Sequence, residues 1–232
     1  MKIYKTLLNK VFSVPKKIFG KFLKNYLGKN QKEIVFIGEV ANFISKIKGE
    51  VEMLLSDDEA SRIYWAVKST ERINGEIAEV GVYQGGSAKL ICEAKKDKNL
   101  HLFDTFEGLP KSTEIYESQL REGEMKASLE NVKQYLAGYR NVYFYKGVFP
   151  ETAQAVEGKR FSLVHLDVDL YKGTSDCLKF FYPRMSKGGI IMSHDYPSMG
   201  GVKKAFDEFF KDKPEPIIRV SNNQCLIVKL RE

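Results

Sequence analysis

Cysteine is scarce in this chain of 232 residues, and long apolar runs are missing from it. The three cysteines, Cys92, Cys177 and Cys225, are widely spaced and lie among apolar residues, which disfavours a disulfide framework or a zinc cluster. No stretch of about 18 uncharged apolar residues occurs, so no membrane-spanning helix is predicted. Both absences favour a reducing, cytoplasmic location. With 43% hydrophobic residues, the chain can bury one substantial core but is cramped for two full domains.

Acidic residues are absent from the first 30 positions, which contain eight lysines. Because these lysines outnumber the net charge of +7, the rest of the chain is close to neutral and gives no electrostatic argument for nucleic-acid binding. Residues 1–30 also contain many apolar side chains, so they are predicted to form a basic amphipathic arm. Packing or solvent exposure is favoured for this arm, and peripheral membrane contact is the alternative. It lacks the continuous apolar region of a secretory signal, so none is expected.

Residues 31–72 have the apolar spacing of helices and are predicted to form a helical cap. Within this range Ser56 and Glu59 have the spacing of a capping box. Ser56 is therefore expected to begin a helix that stops near Asn74-Gly75. The remaining residues, 73–232, are expected to form the main domain, and apolar residues of the N-terminal third suggest a homo-oligomer interface.

From residue 76 onward, short apolar runs alternate with helical stretches. The predicted strands are 76–82, 99–104, 141–146, 161–168, 188–193, 216–221 and 224–230, and the predicted helices are 86–96, 125–137, 151–157, 173–184 and 200–211. This alternation favours βαβ units and an α/β fold with a doubly wound, mostly parallel seven-stranded sheet. Only Asn222-Asn223 separates the last two runs, so they are predicted to form a hairpin whose last strand is antiparallel.

A glycine-rich turn, Glu79 to Ser87, joins the first predicted strand to the helix that follows it. Gly81 and Gly85 would let the backbone approach a ligand, and Ser87 would cap the helix. The turn alone is a weak signal, since it also suits an ordinary tight turn. Asp104 strengthens it, because an acid at the end of the second strand can accept hydrogen bonds from ribose hydroxyls. The alternative for Asp104 is a helix cap or turn residue.

Carboxylates and a histidine collect at the ends of the fourth and fifth predicted strands. Asp167 and Asp169 follow the fourth strand, and His194-Asp195 ends the fifth, so the parallel pattern brings them together at one edge. Clustered carboxylates repel unless they are protonated, paired or neutralised by a cation. A divalent metal ion is therefore predicted, with helix capping by Asp169 and Asp195 as the alternative. His165 is predicted to be a satisfied core histidine, and His101 gives no signal.

Four motifs together resemble those of the macrocin O-methyltransferase family. They are Glu79 to Ser87, Asp104 to Pro110, Leu166 to Tyr171 and His194 to Tyr196, and the resemblance covers about residues 51–212. It implies a class I, Rossmann-like fold in which S-adenosylmethionine donates a methyl group to a sugar hydroxyl with Mg²⁺ assistance. The long polar stretch 105–125 would be a mobile lid over the strand ends.

The resemblance also implies roles for individual residues. Glu79, Gly81 and Ser87 would hold the amino-acid end of the donor, Asp104 its ribose, and Asp169 would be the general base. The full set expected at the cofactor is Glu79, Gly81, Tyr83, Gly85, Ser87, Asp104, Thr105, Phe106 and Asp167. Asp167 and Asp195 would bind the metal ion, and His194, which stands beside them, is a further candidate ligand.

One position departs from the family pattern, which has Asp-Asp-Tyr where this chain has His194-Asp195-Tyr196. Imidazole suits softer ions than Mg²⁺, so the ion could be Mn²⁺ or Fe²⁺, or it could be absent with His194 as the base. Two other functions stay open. A nicotinamide-dependent oxidoreductase would also use a glycine turn and a strand-end acid, and a non-catalytic binding module could be recruited through the basic arm.

Overall fold

The computed structural model describes residues 31–112 and 117–231, with only the backbone of residues 31–37. The basic arm predicted for residues 1–30 lies outside the described residues. The chain divides into two units, residues 1–43 and 44–232, and the sheet and the site belong to the second. Every helix in the described part of the chain is too short or too polar to span a bilayer.

The described residues form six α-helices and seven β-strands. The helices are α1 (Gln31–Glu50), α2 (Asp57–Ser69), α3 (Gly86–Ala94), α4 (Leu129–Tyr135), α5 (Tyr171–Phe181) and α6 (Gly200–Phe210). The strands are β1 (Glu76–Val80), β2 (Leu100–Asp104), β3 (Val142–Lys146), β4 (Phe161–Leu166), β5 (Met185–His194), β6 (Ile218–Arg219) and β7 (Gln224–Val228). Two short 3₁₀ helices occupy Ala153–Val156 and Tyr182–Arg184.

All seven strands belong to one sheet in the order β3-β2-β1-β4-β5-β7-β6. The first five strands pair in parallel, and β7 runs antiparallel to both β5 and β6. The predicted sheet and its terminal hairpin are thus confirmed. The chain builds β2 and β3 on one side of β1 and then crosses to β4 and β5 on the other side. The carboxyl ends of β1 and β4 therefore flank the point where the strand order reverses, and ligands bind at this point in folds of this kind.

The core lies where the helices cover the sheet. Helix α5 packs against α6, and α2 packs against α3. Fully buried aromatic side chains fill the space around α5; Phe161 of β4 and Phe181 of α5, for example, meet edge to face with ring centroids 5.0 Å apart. A rigid sheet packed in this way fixes the strand ends that position the site.

The range predicted to be helical, residues 31–72, contains α1 and α2, and the second helix starts after Ser56 as the capping-box spacing predicted. Residues 51–56 separate α1 from α2. The capping box explains the restart, because Ser56 Oγ accepts a hydrogen bond from the Glu59 backbone N–H and Glu59 Oε2 accepts one from that of Ser56. Helix α2 ends at Ser69, several residues before the predicted stop at Asn74-Gly75.

Other predicted boundaries were wrong by a few residues. The helix predicted over 125–137 begins only at Leu129, because the Ser128 side chain caps it by accepting from the Asn131 backbone N–H. The helix predicted over 151–157 is a 3₁₀ helix of four residues. The strand predicted over 216–221 keeps only Ile218 and Arg219 in the sheet, whereas that predicted over 188–193 extends to Met185–His194.

Candidate active site

A cavity of about 710 Å³ opens at the carboxyl ends of the central strands. Residues from the links at 51–56 and 105–128 complete its walls. The residues predicted for the site that border this cavity are Gly81, Tyr83, Ser87, Asp104, Thr105, Asp167, Asp169, His194 and Asp195. The structure therefore brings most of the predicted residues together. Glu79, Gly85 and Phe106 lie outside the lining.

Gly81 marks the closest approach between β1 and β4. Its φ is +87°, and a Cβ atom at this position would lie 1.8 Å from the carbonyl oxygen of Asp167. A side chain is excluded on both grounds, since left-handed φ is costly for other residues and real Cβ atoms do not approach oxygen so closely. The turn consequently leaves bare backbone facing the cavity.

Helix α3 is capped differently from the prediction for Ser87. The N-cap is Gly85, which has φ of 85° and makes no side-chain capping bond, and Ser87 is the second residue of the helix. The free backbone N–H groups of the first turn point toward the helix N-terminus, where they favour a negatively charged group. Ser87 borders the cavity at this end.

Asp104 holds the glycine turn through its carboxylate. Oδ2 accepts hydrogen bonds from the backbone N–H groups of Val82 and Tyr83 at 2.7 and 2.9 Å, and Oδ1 accepts one from Phe106 at 2.6 Å. The turn role considered for Asp104 is thus present. Oδ2 thus already accepts two hydrogen bonds, and the Thr105 hydroxyl lies 3.5 Å from Oδ1, so the acceptor capacity that remains for a ligand in the cavity is mainly on Oδ1.

Glu79 and His165 form a fully buried pair behind the glycine turn. His165 Nδ1 lies 2.9 Å from Glu79 Oε1, and neither side chain is exposed. Burial raises the pKa of Glu79, although the hydrogen bond with His165 opposes this. His165 is a core residue as predicted but is satisfied at one ring nitrogen only, because Nε2 and Glu79 Oε2 have no partner among the described residues.

Asp167, His194 and Asp195 form a cluster at the ends of β4 and β5. His194 Nδ1 lies 3.2 Å from Oδ1 of Asp167 and 3.2 Å from Oδ1 of Asp195. Burial disfavours the charged imidazole, but the hydrogen bonds to both carboxylates outweigh it and raise the pKa of His194 to about 11. The same contact with His194 lowers the pKa of Asp167 despite its burial.

Asp169 lies beside this cluster and borders the same cavity. Burial and the charges of Asp167 and Asp195 raise the pKa of Asp169 to about 8. The helix-capping alternative for Asp169 and Asp195 is not observed, because α5 and α6 have Leu170 and Met199 at their N-caps. Both aspartates instead have left-handed backbones, with φ of 58° and 63°.

One ligand atom from each of Asp167, His194 and Asp195 lies within 4.8 Å of the others. Two carboxylates and an imidazole at this spacing are a donor set that a divalent ion can use. The residues therefore fit a metal ion chemically. In the protein alone, a protonated His194 would offset one of the two carboxylate charges.

Three contributors to the site were missed in the sequence. Asn223 reaches His194 from the β6–β7 hairpin, with 2.8 Å between Asn223 Nδ2 and His194 Nε2. Glu59 approaches the same nitrogen from α2, with Oε2 3.9 Å away. The sequence signals for these residues were a turn dipeptide and a capping box, which explain local structure and do not point to a distant strand end.

The third missed contributor is Glu117, which lies within the stretch 105–125 that was predicted to be a lid. Glu117 Oε1 accepts from the Tyr171 backbone N–H at 2.5 Å, and the residue is buried. A Cβ atom on Gly201 would lie 2.1 Å from the same oxygen. The segment therefore reaches the first turns of α5 and α6 at the edge of the cavity.

The link between α1 and α2 forms another part of the cavity wall. The Tyr83 hydroxyl donates to Glu52 Oε2 at 2.5 Å, and Gln84 Oε1 accepts from the Glu52 backbone N–H at 3.0 Å. Met53 lies against Gly86, since a Cβ atom there would be 3.0 Å from the Met53 side chain. Tyr83, predicted to bind the cofactor, thus joins the glycine turn to this link.

Comparison with known proteins gives one family and several relatives. The family model for macrocin-O-methyltransferase (TylF) matches residues 62–227. The 8-demethyl-8-(2,3-dimethoxy-alpha-L-rhamnosyl)-tetracenomycin-C 4'-O-methyltransferase of Streptomyces olivaceus is 29% identical over 140 residues, which are 53% of this chain and 54% of that protein. Mycinamicin III 3''-O-methyltransferase of Micromonospora griseorubida is 30% identical over 142 residues, or 53% and 56% of the two chains.

This chain spans about half the length of the curated relatives it matches. Among solved structures, that of the O-methyltransferase NovP superposes with a TM-score of 0.70 at 24% identity, covering 77% of this chain and 82% of the other. At that identity the likeness shows the fold, which agrees with the strand order described above.

Proposed function

The chain belongs to the macrocin-O-methyltransferase family, and on this premise we propose that it transfers a methyl group from S-adenosylmethionine to a hydroxyl group of a sugar or glycosylated small molecule, assisted by a divalent metal ion. One observation carries the proposal: a single cavity joins the glycine turn and Asp104 to the cluster of Asp167, Asp169, His194 and Asp195. The relatives whose names specify a position on a sugar-bearing product support the acceptor class.

The donor would bind along the carboxyl ends of β1 and β2. It supplies a methyl group activated by a sulfonium. Gly81 would bring bare backbone next to it, Asp104 would accept from its ribose hydroxyls, and Ser87 with the first turn of α3 would hold its carboxylate. Glu79 is buried behind the turn and paired with His165, so its proposed contribution to the amino-acid end would be indirect. The backbone next to the donor would be formed by the remaining predicted residues, Tyr83, Gly85, Thr105 and Phe106.

The metal ion would be held by Asp167, His194 and Asp195, and when bound it would lower the pKa of a coordinated hydroxyl. The mixed oxygen and nitrogen donors favour Mn²⁺ or Fe²⁺ at least as much as Mg²⁺. Asp167 would also face the donor, since it borders the cavity beside Gly81. The proposed cation site would then lie next to the proposed donor site.

Asp169 is the residue that we assign as general base. It borders the cavity, and a carboxylate whose pKa lies near the working pH is suited to taking a proton from a hydroxyl group. His194 is the less suitable base, because its Nδ1 faces two carboxylates in the protein alone and would be occupied by the metal ion when the ion is bound.

The two other functions considered gain no support from the site. The matching family is one of methyltransferases, and the terminal hairpin agrees with them rather than with a nicotinamide-dependent oxidoreductase. Four ionisable groups gathered in one cavity favour chemistry over a passive binding module. Peripheral membrane contact through residues 1–30, a cytoplasmic location and a homo-oligomer stay predictions.

Calorimetric titration with S-adenosylhomocysteine tests the donor site. The parent should bind one molecule per chain, and Asp104→Ala should bind about ten- to a hundredfold more weakly, because it removes charge-assisted hydrogen bonds worth about 1.5–3 kcal/mol. Asp97→Ala is the matched control, since Asp97 is exposed and precedes β2 at the opposite end of the sheet. Unchanged affinity in Asp104→Ala would contradict the ribose assignment, and no binding to the parent would contradict the donor.

A further inference from the structure

We infer that Asn223 is the positioning residue that holds the His194 ring with Nδ1 turned toward Asp167 and Asp195. This inference rests on the metal assistance proposed above. Asn223 lies in the β6–β7 hairpin, outside the elements that supply the three donors. Its Nδ2 is 2.8 Å from His194 Nε2 and 3.4 Å from Oδ1 of Asp195. The hairpin, which sequence reasoning treated as a fold signature only, therefore contacts two of the three proposed ligands.

The Asn223 side chain is itself held from two directions. Its Oδ1 accepts a hydrogen bond from the Ser198 hydroxyl, and its backbone N–H donates to Ser221 Oγ at 3.0 Å. Ser198 Oγ also donates to the carbonyl oxygen of Asp195 at 3.2 Å. Ser198 is therefore tied to the segment that carries the proposed ligand Asp195. The amide consequently spans the gap between the hairpin and the end of β5.

The orientation of the ring decides which nitrogen can reach an ion. Nδ1 is the nitrogen that faces both carboxylates, so it is the atom that would offer its lone pair. A neutral imidazole with a free lone pair on Nδ1 carries its proton on Nε2, and that N–H needs an acceptor. Metal-bound histidines generally donate from the second nitrogen, which fixes the ring.

The atom 2.8 Å from Nε2 is the amide nitrogen of Asn223, a donor, so Asn223 becomes that acceptor only when its amide is turned over. Among the described residues, Glu59 is the other group near Nε2, but its 3.9 Å separation is too long for a hydrogen bond. A half-turn of the Asn223 amide exchanges Nδ2 for Oδ1 at nearly the same position, and such flips are decided by the hydrogen-bond network. In the turned orientation the Ser198 hydroxyl would accept from Nδ2, and the 3.4 Å hydrogen bond from Nδ2 to Asp195 Oδ1 would be given up in exchange for the one from His194 Nε2.

The alternative role is purely structural, in which Asn223 only closes the hairpin. Asn222 allows the two roles to be separated, because it is the preceding residue of the same turn and is exposed. A structural effect would weaken folding in both variants. A positioning effect would act on His194 and on metal affinity in Asn223 variants alone.

Electron paramagnetic resonance of free Mn²⁺ over the full chain measures metal affinity. Asn223→Ala should weaken Mn²⁺ binding about ten- to a hundredfold, the range found when the hydrogen-bond partner of a metal ligand is removed. Asn223→Asp should retain affinity because it keeps an acceptor oxygen at this position, and Asn222→Ala should match the parent. All variants should bind S-adenosylhomocysteine like the parent.

Nitrogen-15 spectra of the three histidines in the presence of Zn²⁺, a diamagnetic ion, give a readout that a structural role would not move. The His194 signals, assigned by their loss in His194→Gln, should show a proton on Nε2 in the parent and a mixture of ring states in Asn223→Ala. Equal Mn²⁺ affinity and the same ring state in parent and Asn223→Ala would overturn the inference. A parent that binds S-adenosylhomocysteine but no Mn²⁺ would overturn both this inference and the proposed metal assistance, leaving the donor site intact.

Discussion

Replacing Gly81 with alanine is the sharpest perturbation of the contact that builds the site. Gly81 lies where β1 leaves the sheet beside β4, with φ of +87° and room for no Cβ atom. Two hydrogen bonds flank it: its own backbone N–H donates to the Phe103 carbonyl, and the Asp167 N–H donates to that of Val80, both at 2.9 Å. Any widening of this gap therefore moves Asp167 away from the glycine turn.

The cost has two parts that can be estimated separately. Left-handed backbone costs an alanine about 1–2 kcal/mol. The added Cβ atom would lie 1.8 Å from the Asp167 carbonyl oxygen, so the strands must part by more than an ångström, which overpacking studies value at about 1–3 kcal/mol. Weakening the two flanking hydrogen bonds adds about 1 kcal/mol each. Gly81→Ala should therefore lose about 4–7 kcal/mol, a large share of the 5–15 kcal/mol that is usual for a domain.

Two other glycines separate these contributions. Gly123 has φ of +82° but nothing within 4 Å of its Cβ position, and Gly138 has open space without a left-handed φ. In urea unfolding followed by circular dichroism, Gly123→Ala should lose about 1–2 kcal/mol and Gly138→Ala should stay close to the parent or gain slightly. If Gly81→Ala were no less stable than Gly123→Ala, the close approach of β1 and β4 would be refuted.

Two further predictions concern the metal cluster and the cap. Asp195→Ala should abolish Mn²⁺ binding and leave S-adenosylhomocysteine affinity unchanged, because Asp195 is assigned to the metal ion alone. Paired titrations with the two ligands check this, and retained Mn²⁺ binding would contradict the ligand set. Ser56→Ala should lower the free energy of unfolding in urea by about 1 kcal/mol, because it removes the capping box of α2. Ser69→Ala, at the other end of the helix, is the comparison, and equal stability of Ser56→Ala and the parent would contradict the capping role.

The parallel sheet was predictable because its signals are local. Each βαβ unit shows a change of apolar period, and Asn222-Asn223 leaves no room for anything but a hairpin. The spatial order of the strands was not predictable, because it depends on crossovers and packing between distant segments. Ser128 shows the same limit on a smaller scale: its capping bond sets the start of α4, and the apolar pattern does not.

The candidate site was predictable where function places a residue at the end of a strand. Asp104, Asp167 and Asp195 were found in this way, since parallel strands share one edge. Asn223 was not, because its role depends on the hairpin folding back beside β5. Glu79 was found by family resemblance, yet its burial behind the turn becomes visible only when the register pairs it with His165.

The most direct test of the central claim is a crystal structure of the chain with S-adenosylhomocysteine. The nucleoside should lie in the cavity, with its ribose on Asp104, its amino-acid end at Ser87 and its sulfur facing the side where Asp169 and His194 lie. Density for the nucleoside elsewhere, or a cavity left without it at saturating concentration, would contradict the account.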